Sequence, residues 1–164
     1  MTLTDLNTAP ADEARRTLLA CLPSPRWADR MAAHRPYPDL AALLAASDEA
    51  AYDLTPEDVT AALGREPLPD GAGTVGPPRP TYSTYLAART ALSAAHSAYA
   101  AKFGHPFVIC LAEVAPEEAL DRTLEGIRSR LANDPDEERA VAAEQLRRLA
   151  RARLGHALAP MPGD

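Results

Sequence analysis

Proline placement constrains this chain more than any other feature of its sequence. Sixteen prolines fall along 164 residues, and none can sit inside a helix without breaking it, because the ring is tolerated only in the first helical turn. Between them the apolar side chains recur at helical spacing, which predicts six or seven helices. Thr8-Ala9-Pro10 opens the first, with Ala14, Leu18 and Cys21 at helical spacing and a stop before Pro23. Ser24-Pro25 opens a second, which sets Trp27 and Met31 on one face and ends near Arg35-Pro36. A third runs from about Pro38 to Tyr52 on Leu40, Leu43 and Leu44. In Thr55-Pro56-Glu57-Asp58 a hydroxyl N-cap, a proline at the first helical position and acids facing the helix dipole start a fourth, ending near Gly64.

From Arg65 to Pro80 the composition changes to proline and glycine with few apolar side chains, a long loop that is either functional or a mobile connection. The alanine-rich run from Thr81 to Phe103, carrying Tyr85, Leu92, Ala95 and Tyr99, suits a central helix stopped by Gly104. Pro106 to Leu111 is a short apolar run with no second strand-like segment to pair with, so an irregular or helical buried piece is expected. Pro116-Glu117-Glu118 starts a helix through Leu120, Leu124 and Ile127, which Asn133-Asp134-Pro135 breaks. The last helix spans about Glu137 to Leu158 and leaves a short disordered tail over 159–164. The expected fold is all-α, a compact multi-helix bundle forming a single domain over residues 1–164, with one core of leucine and alanine.

Composition narrows the function classes. Hydrophobic residues are 46% and charged residues 24% of the chain, ordinary values for a folding domain. A formal charge of −6 speaks against a nucleic-acid module, which needs a concentrated basic surface. No apolar run approaches the roughly 20 residues that span a bilayer. Met1 to Pro10 lacks the basic and apolar regions of a secretory leader, so a cytoplasmic protein without membrane contact is expected. Cys21 and Cys110 read as buried free thiols. His34, His96, His105 and His156 show no metal-ligand spacing, so no metal site is expected, and His96 reads as a core or surface histidine. Arg153 stands out. It follows Leu146 by seven residues and Leu149 by four, which sets a cation on an apolar stripe. A guanidinium there keeps its charge and needs a carboxylate, from the protein or from a ligand, unless it snorkels along the core edge.

Several segments together resemble the 2-oxo-4-hydroxy-4-carboxy-5-ureidoimidazoline (OHCU) decarboxylase family of urate breakdown. They are Leu6-Asn7, Met31 with Arg35-Pro36-Tyr37, the stretch from Leu43 to Ser47, the run from Tyr99 through Lys102-Phe103-Gly104-His105-Pro106-Phe107-Val108-Ile109-Cys110, Asn133-Asp134-Pro135 with Glu138, and Glu144 followed by Arg151-Ala152-Arg153-Leu154. The resemblance implies an all-α, often dimeric protein without a cofactor, acting on a small anionic ureidoimidazoline to release carbon dioxide and form S-allantoin. It implies a His-Pro histidine as general acid, a glutamate in a Ser-x-x-Glu-Gln segment holding substrate, an arginine on the last helix for anionic groups, and main chain around Phe-Val-Ile-Cys for the ring. Arg153 matches that arginine, and Phe107, Val108, Ile109, Cys110 and Leu111 match the ring-binding stretch.

Two positions depart from the family pattern. Glu66-Pro67 stands where the family has His-Pro, and a one-residue shift puts Arg65 there instead. The Ser-x-x-Glu-Gln segment should fall between Gly73 and Tyr85, yet no glutamate occurs between Glu66 and Glu113. Two functions therefore stand side by side. One is a divergent carboxy-lyase with Glu66 and Arg153 as catalytic residues and Pro67 and residues 107–111 against the substrate. The other is an inactive homologue that binds a small anion or a protein partner. A concave pocket joining Glu66 to Arg153 favours the first; an internal carboxylate that merely satisfies Arg153 favours the second.

Overall fold

A helix leaves the amides of its first turn without partners, and short polar side chains just ahead of it supply them. In the computed structural model, which describes residues 1–67 and 82–159 and only the backbone course over 82–85, five helices start this way. Thr2 caps α1 (Leu3–Thr8), Ser24 caps α3 (Pro25–Ala33), Asp39 caps α4 (Leu40–Tyr52), Thr55 caps α5 (Pro56–Arg65) and Asp134 caps α8 (Pro135–Ala157). The remaining elements are α2 (Ala11–Cys21), α6 (Tyr82–Phe103), a 3-10 turn (Pro116–Glu118) and α7 (Ala119–Arg130). No strand occurs among the described residues, and the fold is all-α as expected. None of their helices is long and apolar enough to cross a membrane.

The helix at the centre is α8, not α6. Ala142, Leu146, Ala150 and Leu154 recur every fourth residue and are buried, so α8 presents one continuous stripe to α2, α4 and α5. The alanines of α6 lie on every side of it and give no such direction. Of its described side chains only Leu92 and Tyr99 are buried, and it packs on α7. The expected single core is likewise two clusters. The larger joins α1 to α5 with α8 around Trp27, Leu43 and Leu63; the smaller joins Leu92, Tyr99, Phe107 and Ile127. The extended stretch after Gly104 runs between them, so that Phe107 belongs to the smaller cluster and its neighbour Val108 to the larger.

Two further differences concern where helices begin. Helix α1 is too short to declare itself by periodicity; it stands because Leu6 is fully buried and Asn7 clasps Tyr37 through both its amide groups, at 2.9 Å each. Arg35 adds to the same corner by donating to the carbonyls of Leu6, Ala9 and Ala32. The resemblance segments Leu6-Asn7 and Arg35-Pro36-Tyr37 therefore hold structure. At the other end, Asp134-Pro135 starts α8 two residues earlier than expected, through a capping box with Glu137. Most of the 65–80 loop and of the 159–164 tail lies outside the described residues.

Candidate active site

Where α5 ends, Glu66 donates its amide to the Ala62 carbonyl at 3.0 Å and the backbone then turns extended, carrying the side chain off the helix and toward α8. Its side chain is only 4% exposed. Arg153 lies beside the buried stripe of α8 rather than within it, with its side chain 32% exposed. The two meet: an Arg153 terminal nitrogen pairs with Glu66 Oε1, and the other donates to the Cys21 carbonyl at 3.1 Å. The Cys21 thiol is itself buried and pushed up to about 11, with the Arg153 charge opposing that shift, so it stays protonated. Glu66 Oε2 is buried and has no hydrogen-bond partner among the described residues. Of the two residues left open for this position, Arg65 is exposed and Glu66 is the one turned inward.

The stretch after Gly104 forms the facing wall. Gly104 takes φ +76, the left-handed conformation that ends α6. Arg130 donates to the Val108 carbonyl at 2.7 Å, and the Cys110 amide donates to Gln145 Oε1 at 2.9 Å. Between these two anchors the amide and carbonyl of Ile109 have no hydrogen-bond partner among the described residues. Arg130 is held in turn by the fully buried Glu138, 2.5 Å away, which also accepts from the Tyr99 hydroxyl and the Asn133 amide. Burial, and then the bond to Glu138, push the Tyr99 hydroxyl well above its ordinary value, so it acts as a donor.

A cleft of about 660 Å³ opens between these parts. Seven of the eight residues anticipated from the sequence line it: Glu66, Pro67, Arg153, Phe107, Val108, Ile109 and Leu111. Cys110 is not among them. Sequence reasoning missed Leu149, Ala152, Ala112 and His156, the other described residues of the lining. His156 follows Arg153 by three residues on a helix, a spacing that already put the two on one face. The region in which the Ser-x-x-Glu-Gln segment was sought lies outside the described residues but for the backbone of the first turn of α6. No cluster of three or more His, Cys, Asp or Glu able to hold a metal occurs among the described residues.

Comparison with known proteins follows the same outline. A crystal structure of OHCU decarboxylase in the presence of (S)-allantoin superposes with a TM-score of 0.69 at 20% identity, over 87% of this chain and 96% of that one. A crystal structure of (S)-allantoin synthase superposes with a TM-score of 0.66 at 19% identity over 94% of this chain, which spans about half (53%) of that protein's length. No curated protein matches the sequence at a significant level. At these identities the two structures establish the fold. The OHCU decarboxylase family model matches residues 7–68 and 83–155, so most of the chain, including both walls of the cleft, belongs to the OHCU decarboxylase family.

Proposed function

We propose that the chain is a decarboxylase acting on OHCU, releasing carbon dioxide and forming S-allantoin, with Arg153 and Glu66 as its catalytic pair. The observation that carries this is the Arg153–Glu66 pair standing at a cleft rather than sealed in a core. A guanidinium has five N–H donors, and its partners among the described residues, Glu66 and the Cys21 carbonyl, leave others to grip the substrate carboxylate. Glu66 takes a different part from the one its sequence position suggested: its carboxylate accepts from the Arg153 guanidinium and braces it toward the cleft. The unpaired Ile109 amide and carbonyl supply one donor and one acceptor for the ring, within the stretch Phe107 to Leu111. The apolar walls from Leu111, Leu149 and Ala152 favour moving a localised carboxylate charge into a delocalised ring.

Freshly generated OHCU provides the test, with optically active allantoin followed against spontaneous decay. Wild type should accelerate the reaction and give one enantiomer, and Arg153→Ala should lower the rate by about 10²–10³-fold, the size of one lost electrostatic contact in a transition state. Racemic allantoin at the spontaneous rate would rule the activity out and leave the inactive, anion-binding homologue.

A further inference from the structure

We propose that His156 is the proton donor of this cleft; the role presupposes the decarboxylase reading and adds a catalytic residue to it. Cleaving the carboxylate leaves an electron pair on the substrate, and a proton must then reach one face of the ring carbon that becomes the stereocentre. The ionisable side chains in the described lining are Glu66, Arg153 and His156. Glu66 is committed as the anion of an ion pair, and an arginine keeps its proton throughout. The wall from Phe107 to Ala112 adds no ionisable side chain to the lining. His156 is left, and imidazole is the side chain whose proton moves most readily near neutral pH.

Its placement suits the task. His156 stands about one turn beyond Arg153 on the same helix, so a substrate whose carboxylate is held by the guanidinium has its ring alongside the imidazole. The ring makes no hydrogen bond or ion pair with any described residue, so none of these competes for its proton. It is also exposed enough to be recharged from solvent. In the step itself the bond from ring to carboxylate breaks, carbon dioxide leaves, and its bonding pair is taken up by the substrate ring. The imidazolium N–H then breaks and a new C–H bond forms, leaving neutral His156, which regains one proton from water. One solvent proton is consumed per carbon dioxide released.

His156→Gln and His156→Ala, compared with wild type on freshly generated OHCU, test this, with binding of (S)-allantoin by calorimetry as the probe of the cleft. Both variants should lose about 10²–10⁴-fold in kcat, while KM and (S)-allantoin affinity stay within about threefold. The allantoin they form should lose its optical purity, and added imidazole should restore part of the rate in His156→Ala. Full kcat and optical purity in His156→Gln, with wild type active, would overturn the assignment and leave the decarboxylase reading intact. Loss of (S)-allantoin binding without imidazole rescue would overturn it in favour of a binding role. An inactive wild type would remove both together.

Discussion

At Arg153 the guanidinium meets a protein carboxylate before any ligand arrives. A purely structural cation would pair with Glu66 in the same way; the orphaned Glu66 Oε2 and the open cleft beside it are what a structural pair does not need. Arg130 is the contrast, 9% exposed, with its guanidinium donating to Glu138 and Val108 and lying 4.3 Å above the Phe107 ring. His96 is a third kind of polar group, half-buried with its ring nitrogens enclosed. Both its ring nitrogens lack partners among the described residues, its ring meets Phe107 edge-on at 6.0 Å, and burial holds its pKa below the ordinary 6.5. The unfolded chain therefore takes up a proton near pH 6.5 that the folded chain refuses. Stability from this residue is present above that pH and is lost as pH falls toward the depressed folded value. Lowering the pH from about 7.5 to about 5.5 should reduce the urea midpoint more in wild type than in His96→Leu; equal shifts would exclude His96 as the source.

Among the elements, α7 comes close to the cleft wall because it has a glycine where it touches it. A Cβ at Gly126 would lie 3.1 Å from Phe107 Cζ and 3.3 Å from Ile109 Cδ1. Alanine gains about 1 kcal/mol over glycine in a helix interior, yet Phe107 is fully buried against Tyr99 and Arg130 and has little room to yield. Gly126→Ala should therefore fail to raise the thermal midpoint and should raise KM by displacing Ile109. A stabilised variant with unchanged KM would show that the wall moves freely. Much at this scale was legible beforehand. The N-caps at Ser24 and Thr55, the stop at Gly104 and the Trp27–Met31 pair are local, and a local sequence window contains all their partners. The six-residue α1 was not, since Tyr37 and the core that hold it are distant in sequence.

For the whole molecule the buried network around Glu138 does the joining. Tyr99 reaches it from α6, Arg130 from α7 and Asn133 from the turn before α8, while Arg130 also grips the 107–111 stretch between the two hydrophobic clusters. Removing one partner leaves a fully buried carboxylate without its counter-charge, at a cost of about 3–5 kcal/mol. Arg130→Met should lose that much in urea unfolding and weaken (S)-allantoin binding, because the Val108 carbonyl is released. A loss under about 1 kcal/mol would mean the pair is solvated in solution. The sequence drew attention to Arg153 and passed over Arg130, although Arg130 is the more deeply buried cation. Periodicity on one helix registers which face a residue shares, and cannot register partners that lie on other elements, as Glu138 and Val108 do here.

From its order of residues alone the chain was bound to be all-helical, to break where its prolines and glycines fall, and to carry an arginine toward the apolar side of its last helix, which spacing set on the stripe and packing set beside it. Those outcomes depend on backbone sterics and on neighbours within a turn or two. Packing decided the rest: that α8 rather than α6 is central, that the core divides around Phe107 and Val108, that Glu66 rather than Arg65 meets Arg153, and that His156 joins them. Each of these is a meeting of segments far apart in sequence, set by how α5, α8 and the stretch after Gly104 fit against one another. No spacing within a single segment encodes that fit.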